Sequence, residues 1–361
     1  MVMHYFTSRM GASDMKISTI GIDLAKEVFQ IHAADQSGKV VQRKKLRRSE
    51  MLTYFANLET CLIGMEACSS AHYWARKLVA MGHTVKLMAP QFVKPYVKAN
   101  KNDAADAEAI CEAVTRPTMR FVSIKNLDQQ TILATHRVRQ LLVVQRTARA
   151  NQIRGLLSEF GVVIPRGIHF LGVRIPEILE DAENELTPGM RTLIHDCYES
   201  LKSLTDEIDR HEQTIKSFHK QNALSKRLER IPGVGPLTAT AFLATIGDAM
   251  EFKSGRELSA FLGLVPRQSS SGGKQNLLGI SKRGDSYLRT LLIHGARSVV
   301  RVVESNPPNH IWLDSLIGRR NKNVAAVALA NKNVRTIWAL LTKDREFDPE
   351  YISVSSVSFT A

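Results

Sequence analysis

The sequence predicts an α/β N-terminal domain, a helical middle with coiled-coil periodicity and a mainly helical C-terminal domain. Three features carry that expectation. Short β-rich apolar runs separated by turn residues fill the front of the chain. A long stretch poor in helix breakers and rich in Gln, Arg and Leu follows. In the last third, helical segments alternate with a polar loop rich in Gly and Ser. The boundaries fall at residues 16–125, 126–227 and 228–343.

The first domain opens with an apolar run at 17–24 (ISTIGIDL), an alternating run at 28–34 and a third at 40–46. A Ser-Gly turn at Ser37 and Gly38 separates the last two, so the three read as a meander. Residues 51–58 have helical character. CLIGM at 61–65 is short and wholly apolar, as expected of a buried central strand. SSAHYWARKLVAM at 69–81 has helical period and stops at Gly82, and TVKLM at 84–88 is a strand closed by Pro90. NDAADAEAICEAV at 102–114, rich in Ala and Glu and ended by Pro117, is a strong helix former. The predicted order is β-β-β-α-β-α-β-α.

Residues 128–159 read as one long helix and 161–188 as a punctuated connector. Ile194, Cys197, Leu201, Leu204, Ile208, His211, Ile215 and Phe218 then recur at alternating steps of three and four, a heptad seam. That seam fits equally an intramolecular hairpin against the 128–159 helix and a coiled coil between copies. Further helices are expected at 236–246, 256–262, 286–303 and 324–341. A polar loop is expected at 264–284, and from Asp344 a tail that is first acidic and then Ser-rich.

The chain of 361 residues carries 49 Lys+Arg against 35 Asp+Glu, a net charge of +14. Residues 253–335 hold fourteen of the basic residues and only four acidic ones. A basic surface concentrated in one region attracts polyanions, nucleic acid above all. No apolar run approaches the ~20 residues that cross a bilayer, so no membrane partner is expected. The first residues lack the apolar core of a secretory signal, although Met15 offers a second start. The four cysteines lie far apart with no CxxC pair, which argues against a disulfide framework or zinc site and for a cytoplasmic setting.

Four carboxylates stand out. Asp23 interrupts the first apolar strand, and Glu66 ends the central one. Asp103 and Asp106 lie three apart at the start of the Ala-rich helix and so share a face. An ionised carboxylate in an apolar strand is costly unless it meets a cation. If the two strands are neighbours, the acids come together. Hard oxygen ligands at that density suit Mg²⁺, with Mn²⁺ as an alternative. Two such ions could activate an attacking oxygen and stabilise a leaving one at a phosphate. Taken singly, each acid is as well explained by a helix start or a turn.

RIPGVGPLTATAFLATIG at 230–247 reads as a helix–hairpin–helix. Gly233 and Gly235 permit a tight turn, Pro236 suits the first helical turn, and the helix N-terminus offers free N–H groups to a DNA phosphate. The loop around Ser270 and Ser271 has backbone freedom from Gly272 and Gly273, and cations Arg267, Lys274, Lys282 and Arg283 flank it. From residues alone this is a flexible linker as readily as a site. The helix after it carries Arg289, Arg297 and Arg301 within one cationic arc suited to a DNA backbone, while His294 reads as packing.

The strings GIDLAKEVF, GMEACSSAHYWARKL, KNDAADAEAI, RIPGVGPLTATAFLATIG and AFLGLVPRQSSSGGKQNLLGISKRGDSYLRTLLIHGAR resemble the DEDD transposases of bacterial insertion sequences. The likeness is to the one-ten family, especially its eleven-eleven subgroup, relatives of the pilin-gene invertases. It runs from about residue 17 to about residue 340. It implies a RuvC/RNase H-like fold for the first domain and a DEDD set at Asp23, Glu66, Asp103 and Asp106. It also implies a nucleophilic serine in the C-terminal domain, matched by Ser271, with Ser270 as the other register. The implied reaction is Mg²⁺-dependent transesterification through a phosphoserine link to donor and target DNA. A non-coding RNA of the element is implied as guide, with action near the bacterial nucleoid. Because the acids and Ser271 lie at least 165 residues apart, a composite site and a homo-dimer or homo-tetramer are expected. Two other readings stand beside this one: a RuvC-like Holliday-junction resolvase that uses water, and a non-catalytic nucleic-acid-binding protein.

Overall fold

Apolar alternation at the front of the chain is realised as one six-stranded sheet. In the computed structural model, which describes residues 16–97, 102–269, 276–305 and 311–348, the strands are β1 (Thr19–Leu24), β2 (Val28–Ala34), β3 (Val40–Arg47), β4 (Leu62–Glu66), β5 (Thr84–Met88) and β6 (Phe121–Val122). Their order is β3-β2-β1-β4-β5-β6. The first three form an antiparallel meander, β4 and β5 join β1 in parallel, and β6 closes the edge antiparallel to β5. Helices α1 (Met51–Ala56), α2 (Ala71–Ala80), α3 (Pro90–Val93) and α4 (Asp103–Val114) complete this first unit, residues 1–126.

The period of two along β1 sorts its side chains between two cores. Ile20 and Ile22 point to the face covered by α1 and α2, where they meet Phe29, Ile63, Met65, Phe55, Trp74 and Leu78. Phe29 and Trp74 pack edge to face, with centroids 5.3 Å apart, a geometry that adds ~1 kcal/mol to area burial. Thr19, Gly21 and Asp23 take the opposite face, where α4 lies. A methyl group on Gly21 would collide with the Ala107 carbonyl and the Cys111 amide, and one on Gly64 would come within 2.8 Å of Val114. Glycine at both positions lets the helix settle directly on the sheet.

The described residues of the second unit, which spans 127–361, are helical apart from one pair of short strands and the connecting loops. It comprises α5 (Leu127–Ser158), α6 (Ile168–Glu180), α7 (Pro188–Gln221), α8 (Ala223–Glu229), α9 (Pro236–Ile246), α10 (Gly255–Phe261), β7 (Pro266–Gln268), β8 (Leu277–Ile280), α11 (Ser286–Ser305), α12 (Ile311–Arg319) and α13 (Lys322–Lys343). Thr187 caps α7 by accepting from the Met190 N–H, with Pro188 at the first helical position. The first part of the heptad seam of α7 is filled within the chain. Ile194, Cys197 and Leu201 pack with Ile153 and Leu157 of α5 and with Leu171 and Ile175 of α6. Arg139 of α5 also donates to Glu212 of α7 through Nε, at 2.9 Å. The intramolecular hairpin is therefore the alternative that this structure contains.

A second core gathers α8 to α13 around Phe242, Leu258, Leu292, Ala326 and Ile337. His136 of α5, wholly buried, ties the two cores together. Thr240 Oγ donates to the Pro236 carbonyl at 2.7 Å, so it accepts from His136 Nε2 at 3.0 Å, and Nδ1 accepts a hydrogen bond from the Tyr287 hydroxyl at 2.9 Å.

Candidate active site

The parallel register of β1 and β4 pairs Ile22 with Met65, so Asp23 and Glu66 follow side by side at the C-terminal ends of adjacent strands. The glycines already fix their face. Asp23 is two residues beyond Gly21 and Glu66 two beyond Gly64, so both belong to the α4 side. The direction of α4 follows from its contacts. Ala107 lies over Gly21, and Cys111 Sγ reaches back to the Thr19 carbonyl at 3.8 Å. The helix thus runs antiparallel to β1, and its first turn, with Asp103 and Asp106, lies toward the strand end that carries Asp23 and Glu66. Asn102 fixes that turn by accepting the Ala105 N–H at 2.8 Å.

Asp23, Glu66 and Asp106 are half-buried and Asp103 is exposed. The Cys68 thiol, just past β4, is held above its usual range, by burial first and then by the charges of Glu66 and Asp23. The two carboxylates therefore act on one common point. Among the described residues, no three His, Cys, Asp or Glu side chains are already gathered closely enough to hold an ion. The backbone brings four hard-oxygen donors to one end of one face. That donor set fits Mg²⁺ or Mn²⁺, and the side chains would have to draw in around the ion.

In the second unit, β7 and β8 pair antiparallel, and the serine loop lies between them in the sequence. Ser270, Ser271, Gly272, Gly273 and Lys274 lie outside the described residues. The base of the hairpin is heavily tied. The Ser281 N–H donates to the Val265 carbonyl at 2.8 Å, and the Lys282 N–H to the Gly263 carbonyl at 3.1 Å. Asn331 Nδ2 donates to the Leu264 carbonyl at 3.2 Å. Arg289 Nη1 bridges the carbonyls of Leu262 and Arg283, at 3.2 and 2.8 Å. Asp285 caps α11 by accepting the Leu288 N–H at 2.7 Å. Arg289 was expected to grip DNA, and here its Nη1 clamps the hairpin base.

Arg267, Lys282, Arg283, Arg297 and Arg301 are exposed. On α11, Arg297 and Arg301 share a solvent face with His294 and Ser298, opposite the buried Leu288, Leu292, Ala296 and Val300. The turn between α8 and α9 places Gly233 at φ +86°, while Gly235 occupies the N-cap of α9 with open space around it. Gly233 makes the tight turn expected of it and also allows a close approach to α11, which its sequence context did not announce. Gly21 and Gly64 were also missed, although a glycine inside a strand pattern is itself a sign of close backbone approach.

A family model described as a transposase (DEDD_Tnp_IS110) matches residues 20–162, and a second, described as the IS116/IS110/IS902 transposase family, matches residues 225–309. A probable family 20 transposase of Pseudomonas aeruginosa is 49% identical over 337 residues, 93% of this chain and 100% of that protein. This chain belongs to the IS110 family of insertion-sequence transposases. The transposase for insertion sequence element IS1111A of Coxiella burnetii is 45% identical over 340 residues, 94% of this chain and 93% of the relative. A pilin gene-inverting protein of Moraxella bovis is 28% identical over 356 residues, 92% of this chain and 98% of that protein. The transposase is thus a DNA-recombining enzyme. None of the helices among its described residues is long and apolar enough to cross a membrane.

Proposed function

We propose that this transposase cuts and rejoins DNA by Mg²⁺-dependent transesterification, with Ser271 as nucleophile and a non-coding RNA of its element as guide. One observation supports the metal centre most. The start of α4 and the ends of β1 and β4 converge, so Asp23, Glu66, Asp103 and Asp106 stand on one face at one strand end. These four would hold the ion, which when bound supplies positive charge to a phosphate oxygen and lowers the cost of charge developing there. A RuvC/RNase H-like identity for the sheet agrees with its strand order.

Ser271 Oγ attacks phosphorus, its proton leaving to a nearby base. The bond to the 3′ oxygen breaks, and that oxygen takes up a proton to become a free 3′-hydroxyl. The 3′-hydroxyl of one strand then attacks the phosphoserine of another, and Ser271 regains its proton. The phosphodiester is conserved throughout, so no nucleotide cofactor is consumed. The hydrogen-bonded base of the hairpin suits a loop that must present one hydroxyl repeatedly. The helix–hairpin–helix turn with Gly235, and the exposed Arg267, Lys282, Arg283, Arg297 and Arg301, would bind phosphates without reading sequence. That leaves target choice to base pairing with RNA. Strand exchange needs two half-sites and hence at least two copies, a homo-dimer or homo-tetramer.

The test uses labelled donor and target DNA with the element's RNA. Cleavage and exchange are expected with Mg²⁺ and absent with EDTA. Asp23→Asn abolishes both steps, and Ser271→Ala abolishes exchange. Exchange by the Ser271→Ala protein at the wild-type rate would replace this chemistry with another nucleophile.

A further inference from the structure

At the end of the sheet beside α1 and α2, the first unit holds a cavity of about 620 Å³ that the catalytic scheme does not use. Its walls include Glu27 and Val28 at the start of β2, Arg47 and Arg48 at the end of β3, and Tyr73 and Trp74 on α2. The Arg48 guanidinium lies over the Trp74 ring, 5.2 Å from its centroid, and 5.9 Å from that of Phe29. Its Nη1 reaches the Lys26 carbonyl at 3.4 Å, and Arg47 is exposed at the rim. Tyr73 packs edge to face on Trp74 and keeps 40% of its surface in solvent. Trp74 itself is buried, and its indole N–H has no partner among the described residues.

The composition of these walls is selective. Two guanidiniums face one carboxylate, Glu27, and three flat groups stand together: Arg48, Tyr73 and Trp74. Aliphatic or peptide ligands do not require a cluster of planar surfaces beside excess positive charge. A nucleotide does, because its base stacks on aromatic and guanidinium planes while its phosphate pairs with arginine. Bases inside a duplex are already stacked, so only an unpaired nucleotide can use such a pocket. The position agrees. Gln30 pairs with Asp23 across the β1–β2 hairpin, and Val28 in the cavity wall is two residues farther along the same strand, ~7 Å. The cavity therefore opens at the strand end that carries the acids, beside α2.

We propose that this cavity captures one unpaired nucleotide of the strand handled at the acidic edge, its base stacked against Arg48 and Tyr73 and its phosphate held by Arg47. The inference rests on the acidic edge being where a strand is handled, and its readout is binding in EDTA, so failure of metal-dependent cleavage leaves it untouched.

The experiment uses the full-length protein and three labelled probes: a duplex with one unpaired fluorescent adenine analogue, the same duplex fully paired, and a single-stranded RNA carrying the analogue. Wild-type protein should quench the analogue in the unpaired probes. Tyr73→Ala, and Arg48→Lys, which keeps the charge but removes the planar surface, should weaken binding of the unpaired DNA, the RNA, or both by about 5- to 100-fold. Affinity for the paired duplex should stay unchanged. Whichever unpaired probe responds identifies the source of the nucleotide. Circular dichroism checks that each variant is folded. Unchanged binding of both unpaired probes by both folded variants would overturn the proposal. So would equal weakening of paired and unpaired DNA, which would reduce the cavity to general surface charge.

Discussion

Gly233 and Gly295 meet backbone to backbone. A methyl group on Gly295 would overlap the Gly233 carbonyl, and one on Gly233 would lie 2.8 Å from the Gly295 carbonyl oxygen. The turn between α8 and α9 is thereby seated on α11, the helix whose outer face carries Arg297 and Arg301. Any DNA contact made by the turn and by that face is made by one rigid block.

Gly295→Ala should therefore cost about 1–3 kcal/mol, seen as a lower urea midpoint with an unchanged slope. Gly235→Ala is the control. It meets nothing within 4 Å at φ −91°, so it should stay within about 0.5 kcal/mol of wild type. Equal losses at both positions would contradict the close packing.

Acid should loosen the second unit through His136. Burial first, and the Arg139 charge second, push its pKa down from 6.5 to about 4. Between those values the unfolded chain binds a proton that the folded chain refuses. The stability tied to the neutral ring is full above pH 6.5, declines as pH falls, and is gone below about pH 4. Its size is about 3 kcal/mol. Urea midpoints of wild type and His136→Gln, compared across that window, should converge toward acid. Parallel curves would remove the histidine from the pH dependence.

Arg289→Lys should loosen the base of the serine hairpin, because an ammonium cannot bridge the Leu262 and Arg283 carbonyls as the guanidinium does. Amide exchange at residues 262–268 and 277–284 should speed up, by the equivalent of about 1–2 kcal/mol, with little change in α5 or α7. Unaltered exchange there would leave Arg289 free for the DNA-gripping role its helical position suggested.

How much of this was legible in the sequence depended on which element made the pattern. Thr19–Leu24, Leu62–Glu66 and Thr84–Met88 were readable because apolar runs of strand length had turn signals on both sides. Asp23 and Glu66 stood out in the sequence because each interrupts or ends an apolar strand, whereas Asp103 and Asp106 stood out only through their spacing of three at a helix start. Helix α6 was hidden, since Pro176 inside it, Gly167 before it and Gly172 within it all read as breakers. The β7–β8 hairpin was hidden because its strands of three and four residues are mostly exposed and carry little alternation. The heptad seam was visible, but its partner was not. Only the packing of Ile194 and Leu201 against α5 and α6 shows that the chain fills the first part of it from within. Arg289 looked like Arg297 in sequence, and tertiary contact alone separates them.

Ion binding should be measurable without catalysis. Mn²⁺ followed by the paramagnetic resonance of the free ion should be taken up by wild type in the absence of DNA. Asp23→Asn and Glu66→Gln should each lose at least about tenfold in affinity, as expected when one of few hard-oxygen ligands is removed. Uptake that ignores both substitutions would place the ion elsewhere.

The most direct measurement is recovery of the covalent intermediate. Transposase, donor DNA, guide RNA and Mg²⁺ are mixed, quenched in denaturant, digested with protease and analysed by mass spectrometry. A nucleotide linked through phosphate to the peptide spanning residues 268–274, with the modification on Ser271, is the predicted result. Cleaved strands bearing free ends, with no DNA-linked peptide from that segment and unimpaired exchange by Ser271→Ala, would contradict it.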